Sequence, residues 1–172
     1  IIDLKETMYG LDAAYTAVSR CAEKGGTVLF VADDPGPISS QTEQDTRRFG
    51  NFAKVPVLDP ATPDQGFDMM KAAFELSERY KTPVIVRPTT RVCHASTFFD
   101  VAEETHAKPI PEEGFERGPR WVIFPKRAFE GHGEINERLR AIAVDYSTNP
   151  VLSAFNPVDE RRVAGQLTRH GI

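Results

Sequence analysis

Apolar and polar residues along this chain follow two periods. From Gly10 to Glu23 the residues Leu11, Tyr15, Val18 and Ala22 recur at helical spacing, which predicts a helix closed by Lys24-Gly25-Gly26. "TVLFVA" (27–32) is β-branched, aromatic and uncharged, and predicts a buried strand. It runs into Asp33-Asp34-Pro35-Gly36, a turn sequence. "KVPVLD" (54–59) predicts a short second strand, and Pro56 puts it at a sheet edge. "TPDQ" (62–65) is a helix start: Thr62 as N-cap, Pro63 at the first helical position, Gln65 completing a capping box. The helix continues to about Tyr80. Phe67, Met70 and Phe74 form one stripe, and Met69, Ala73, Leu76 and Tyr80 another, so a wide face should be buried against a sheet. "TPVIVRP" (82–88) predicts a further buried strand.

Strand, loop, short strand, helix, strand is the rhythm of an α/β domain with a mainly parallel, doubly wound sheet flanked by helices, here in part. Beyond Thr97 the pattern changes. "HAKPIPEEGFERGPR" (106–120) is charged and rich in proline, as expected of a linker or surface crossing. "WVIFP" (121–125) predicts a short strand or docking segment. Glu134–Asp145 predicts a helix with Ile135, Leu139, Ile142 and Tyr146 on one face. "STNPVLSAFNP" (147–157) reads as irregular, and residues 157–171 as a short terminal helix. The expected organisation is an α/β unit over 1–105, then a linker, short strand and helices over 106–172. The chain opens on Ile1 and closes on an apolar step at Ile172, so it is expected to be a fragment that leads into a further domain. A piece of that kind would expose apolar surface and self-associate.

Charge narrows the function classes. A formal net charge of -4 and a pI near 5.6 give no electrostatic case for a nucleic-acid or anionic-membrane partner. No apolar run is long enough to span a bilayer. Cys21 and Cys93 lack partners at C-x-x-C spacing and read as reduced thiols of a cytoplasmic protein. His94, His106, His132 and His170 are isolated from one another, without metal-ligand spacing. No glycine cradle of the dinucleotide-binding or P-loop kind occurs, nor a G-x-S-x-G elbow.

Two loops could carry chemistry, since ligands of parallel sheets gather beyond the carboxyl ends of the strands. The first holds Ser39, Ser40, Gln41, Thr42, Glu43, Gln44 and Asp45, then Arg47 and Arg48. That set donates and accepts hydrogen bonds, as polar-ligand recognition requires. Its plain alternative is a surface turn in which Ser39 or Ser40 caps a short helix through Arg48. Asp33-Asp34 offers either a cation site or a turn. The second loop is "RPTTRVCHAS" (87–96). Arg87 and Arg91 could bind a carboxylate or phosphate, and His94 could donate to a carbonyl oxygen. Its alternative is that the arginines pair with acids and His94 is an ordinary polar residue.

"VADDPGPISSQTEQDTRRFGNFAKVPVLDP" followed by "KAAFELSERYKTPVIVRPTTRVCHAS" resembles the alpha subunits of the indolepyruvate ferredoxin oxidoreductases, within the thiamine-diphosphate-dependent 2-oxoacid:ferredoxin oxidoreductase family. "DDPG", "SSQ", "EQD" and "TTRV-H" occur in order, and the resemblance is close over about residues 10–97 and looser beyond, where "NPVLSAFN" is similar to the family's post-domain linker. It implies part of a pyrimidine-binding domain. It implies oxidative decarboxylation of an aryl 2-oxoacid to an acyl-CoA, with ferredoxin as electron acceptor. It also implies thiamine diphosphate, Mg2+ and [4Fe–4S] clusters in the whole enzyme, and a second (beta) subunit. Three features the family's chemistry needs are not in this sequence: the activating glutamate, expected upstream, a G-D-G motif for diphosphate and magnesium, and cysteine clusters for iron–sulfur centres. On the resemblance, Ser39, Ser40, Gln41, Gln44 and Asp45 face the active-site cleft, with Arg91 and His94 nearby orienting substrate. A module used only for subunit association is the alternative implied role.

Overall fold

A strand with apolar residues on both faces must be covered from both sides, and "VIV" at 84–86 is such a strand. In the computed structural model, which describes residues 26–100, 112 and 124–156, this segment is the centre of a parallel sheet. The described elements are β1 (Val28–Phe30), α1 (Phe49–Ala53), β2 (Val57–Leu58), α2 (Pro63–Tyr80), β3 (Val84–Val86), α3 (Thr90–Cys93), α4 (Pro125–Thr148) and α5 (Pro150–Ala154). The strand order is β1-β3-β2. Val28, Leu29 and Phe30 lie opposite Val84, Ile85 and Val86, while Val57 and Leu58 lie opposite Ile85 and Val86.

Strand alternation sorts the core into two layers. Val84, Val86 and Leu58 face α2 and pack with Met69, Ala72, Ala73, Leu76 and Leu152 of α5. Ile85 faces the other way and packs with Val31 and Val55, against Leu29, Phe49, Ala53 and Val57. All of β3 is buried, as expected of "TPVIVRP". β1 differs from expectation: Phe30 remains 39% exposed, because β1 has a partner on one side only among the described strands. β2 is an edge strand as Pro56 predicts, and Pro56 still contributes its carbonyl, accepting from Ile85 N.

The start of α2 is encoded locally. Thr62 Oγ1 accepts from Gln65 N, Pro63 sits in the first turn, and Gln65 Oε1 accepts from Ala61 N. The reciprocal bond thus reaches one residue further back than a capping box would place it. Of the two apolar stripes, the one through Met69, Ala73 and Leu76 enters the core. Of the other, only Met70 packs against that core: Phe74 is 45% exposed and Phe67 stacks on Phe99 instead. At the far end of α2, buried Ser77 accepts from Thr27 N and donates to Thr82 O, so one hydroxyl joins α2 to the start of β1 and to the turn into β3.

The second helical layer is longer than the pattern predicts. α4 begins at Pro125, with Phe124 as N-cap, so the end of the segment read as strand is a helix start. Ile142 is buried and Tyr146 packs against the α2 layer, where burial pushes the tyrosine hydroxyl up to about 12. Arg79 bonds Asp145, Lys54 bonds Asn136, and Gln65 Nε2 donates to Phe155 O. "STNPVLSAFN" is not irregular: Asn149 accepts from Val151 N and Leu152 N, and Pro150 opens α5. The helices expected over 10–23 and 157–171, the linker at 106–120 apart from Glu112, and the start of "WVIFP" lie outside the described residues.

Glycine matters most where α1 meets β2. A methyl group on Gly50 would collide with Val57 Cγ2 and lie 3.0 Å from Val55 O. Gly131, in α4, has nothing within 4 Å of the same position. Gly50→Ala should therefore destabilise the chain by about 1–3 kcal/mol, as overpacking does. Gly131→Ala should stabilise it by about 0.5–1 kcal/mol, the usual gain in a helix. Urea denaturation of the two variants checks both signs.

Candidate functional site

The residues that follow the three strands are polar, and the fold brings them to one edge. Arg87 follows β3 and is 2% exposed. A buried guanidinium requires partners, and each neighbouring strand end supplies one. Arg87 Nε donates to Asp33 Oδ2 at 2.5 Å, beyond β1, and Nη1 donates to Asp59 Oδ2 at 2.8 Å, directly after β2. Asp45 Oδ1 lies 3.6 Å from Nη2. Arg87 is therefore not an open anion receptor: it pairs with buried Asp33 and with the exposed acids Asp59 and Asp45.

Asp33 and Asp34 divide their work. The buried Asp33 carboxylate also accepts from Thr46 N and Thr46 Oγ1, which draws the far end of the first loop back to the sheet. Asp34 accepts from Ile38 N, Ser39 N and Ser40 N, the last two at 2.9 and 2.7 Å, and from Thr90 Oγ1 at 2.8 Å. Those backbone bonds hold the Asp34 carboxyl well below the usual carboxylate range. The pair is thus a loop organiser, the turn reading rather than the cation one. The short helix expected from Ser39 or Ser40 to Arg48 does not form; Asp34 satisfies those amides, and α1 starts later, at Phe49.

The second loop is tied to the first. Asp33 N donates to Pro88 O, Thr90 N donates to Asp33 O, and Asp33 pairs with Thr89 as an isolated parallel bridge. Gln44 N donates to Asp34 O. Both loops therefore leave the same end of the sheet as one cross-linked unit. Ser39, Gln41, Asp45, Arg91 and His94 are exposed there, while Ser40 and Gln44 are half-buried. The Ser39, Ser40 and Gln44 amides are engaged in holding the loop. Asp45 is held by Arg47, which bonds both of its oxygens and keeps its carboxyl below the usual range. Arg91 lies in α3 and His94 caps it, its amide donating to Thr90 O. Cys93 is a free thiol in the same short helix, raised by partial burial.

Sequence reasoning missed Thr46, Asp59 and Thr90 as members of this unit. The available signal was positional: each lies just past a strand end or on the loop that follows one. Among the described residues, no group of three or more His, Cys, Asp or Glu side chains could hold a metal ion. Among the same residues, no helix is long and apolar enough to cross a membrane.

Asp34 gives the loop a definite pH response. Its folded-state pKa is depressed, so its contribution to stability is complete above the ordinary carboxylate value of about 3.9. It is lost as pH falls from there through the folded-state value. Asp34→Asn should remove that acid-dependent component and speed amide exchange at Ser39 and Ser40 by at least about tenfold at neutral pH, because charge-assisted acceptance is lost. Hydrogen exchange followed by NMR checks it; unchanged exchange at those two amides would mean that Asp34 does not organise the loop.

Most of the chain is similar to one segment of known proteins of a single kind. The chain is 41% identical over 131 residues to the indolepyruvate oxidoreductase subunit IorA of Thermococcus kodakarensis, covering 74% of this chain and 20% of that protein. It is 38% identical over 151 residues to the same subunit of Methanothermobacter marburgensis, covering 87% and 23% respectively. For Pyrococcus horikoshii the identity is 33% over 159 residues, covering 88% and 24%. Each alignment is longer than the stretch 10–97, so similarity extends beyond the two loops. No protein-family model matches the chain, and no solved structure matches it significantly. The chain spans about a fifth to a quarter of the length of these relatives. Identity of this extent over most of the chain makes it a homologue of one segment of the indolepyruvate oxidoreductase subunit IorA.

Proposed function

We propose that this chain is part of a cytoplasmic enzyme that oxidatively decarboxylates an aryl 2-oxoacid of the indolepyruvate kind. The observation that carries the reading is the 33–41% identity to IorA subunits over most of the chain. In the proposed reaction the bond between the keto carbon and the carboxylate breaks and carbon dioxide leaves. The acyl carbon is oxidised by two electrons, which pass to two ferredoxins. The thiol of coenzyme A takes the acyl group and loses its proton to water. The partners are the rest of the subunit, a second subunit of the beta type, ferredoxin and coenzyme A.

Thiamine diphosphate with Mg2+ would supply the carbanion chemistry, and [4Fe–4S] clusters the electron path. The residues in hand do not fit the metal or the clusters. The sequence holds two cysteines, against four thiolates for each cluster, and the acids at the strand ends are committed to Arg87 and to backbone amides. What this chain's residues do is form one wall of the cleft. Ser39, Ser40, Gln41, Gln44 and Asp45 present donors and acceptors from the first loop. Arg91 and His94 present them from the second and orient the substrate carboxylate or carbonyl. The cross-links through Asp33, Asp34 and Thr90 hold the wall rigid, which favours orientation in catalysis.

The test uses the full-length polypeptide that carries this segment, produced with its second subunit. The assay follows reduction of ferredoxin dependent on indolepyruvate and coenzyme A. Gln41→Ala and His94→Ala, both at exposed positions, should lower kcat/KM by about tenfold or more with native circular dichroism. Activity with indolepyruvate and full retention in both variants would remove the loops from the cleft. Inability of the wild-type complex to turn over any aryl 2-oxoacid would favour the subunit-association role.

A further inference from the structure

Two guanidiniums converge on one carboxylate at the carboxyl end of the sheet, and that carboxylate belongs to the loop itself. Arg47, with its side chain 61% exposed, donates from Nε to both Asp45 oxygens, at 2.9 and 3.0 Å, and also pairs through Nη2. On the inner side is Arg87 Nη2, buried and without a hydrogen-bond partner. Its separation from Asp45 Oδ1, 3.6 Å, is too long for a hydrogen bond. The other nitrogens of Arg87 are used: Nε by Asp33, Nη1 by Asp59. Asp45, whose side chain is 30% exposed, therefore stands between solvent and an unsatisfied, buried cationic donor.

An unpaired buried donor is costly, and a cationic one favours an anion that can reach it. Asp45 reaches only part of the way to Arg87 and is bonded to Arg47 instead. With Asp45 counted, the five charged groups here (Asp33, Asp45, Asp59, Arg47 and Arg87) sum to one negative charge, which repels a free anion. Without it they sum to zero, with two guanidiniums facing the gap. Rotation of one side chain on an exposed loop separates the two conditions.

We propose that Arg47 and Arg87 form a latent oxyanion site for the carboxylate of a small organic acid, and that Asp45 is its built-in competitor. In the resting state Asp45 occupies the fork. An incoming carboxylate takes its place, bonding Arg47 from the solvent side and completing Arg87 Nη2 from the other, while the Asp45 side chain rotates away and its backbone stays tied at Gln44 and Thr46. The identification of that acid with an aryl 2-oxoacid rests on the proposed function above; the oxyanion site itself does not.

The test is an NMR titration of the full 172-residue chain, ¹⁵N-labelled, that follows the arginine Nε–H signals of Arg47 and Arg87. The probes are acetate, indolepyruvate and the methyl ester of indolepyruvate, at constant ionic strength set with chloride. Asp45→Asn and, independently, Asp45→Ala remove the competitor. Each should raise affinity for acetate and for indolepyruvate at least about tenfold over wild type, with no gain for the ester. Adding Arg47→Ala to either variant should abolish the gain. Two natively folded Asp45 variants with wild-type affinity for both acids would overturn the proposal, as would an equal gain for the ester. If one variant loses its native spectrum, the other decides. A gain for acetate without one for indolepyruvate would support the oxyanion site and count against the aryl 2-oxoacid reading.

Discussion

A guanidinium enclosed at the end of the central strand is the constraint on which this structure turns. Arg87 cannot be taken out of water without carboxylates around it, and the fold supplies them from both flanking strands. Asp33 comes from the end of β1 and Asp59 from the end of β2. The parallel arrangement delivers all three strand ends to one side, so a single side chain can reach both neighbours. Apolar contacts hold the layers together without direction. The charge cluster is directional, and it decides how the loops leave the sheet.

The rest of the edge is built outward from that cluster. Asp33, anchored on Arg87, holds Thr46 and so returns the long first loop to the sheet. Its neighbour Asp34 turns the other way and gathers the amides of residues 38–40, with Thr90 of the second loop on the same carboxylate. Adjacent residues thus serve opposite directions, as the pleat of an extended segment requires. Beneath them, β3 is packed from both sides, by Met69, Ala73 and Leu76 of α2 on one face and by Val31 and Val55 on the other. A loop framework fixed to a buried scaffold is the arrangement in which exposed polar side chains can meet a ligand repeatedly in one geometry.

Local features of the fold were legible in the sequence. Thr62, Pro63 and Gln65 announce the start of α2 because a cap bonds residues three or four apart. "VIV" announces a buried strand because both of its faces are apolar. The Arg87–Asp33 pair joins residues 54 apart and could not be read off spacing. Arg87 was open to reading as an anion receptor for the same reason: a cation after a strand looks alike whether or not acids converge on it. Phe74 and Phe30 were expected inside, and their exposure depends on what lies beside the sheet rather than on their own periodicity. Proline at 125 and 150 starts helices where composition suggested a strand or irregular chain, because the context that tells a first turn from a break lies downstream of the proline. The site residues themselves were legible as polar loop positions past strand ends, and the family resemblance found from the same loops agrees with the identity to IorA subunits.

The buried Arg87–Asp33 pair sets the geometry of this edge. A double-mutant cycle with Arg87→Met and Asp33→Asn, read by urea denaturation of the 172-residue chain, tests it most directly. Arg87→Met leaves the buried Asp33 carboxylate without its cation, and Asp33→Asn leaves buried Arg87 with the more exposed Asp59 and Asp45 only; each should cost about 3–5 kcal/mol. The double variant should cost less than the sum by about 2–3 kcal/mol. Costs that add to within about 0.5 kcal/mol would show that the two residues act independently, and would contradict the account.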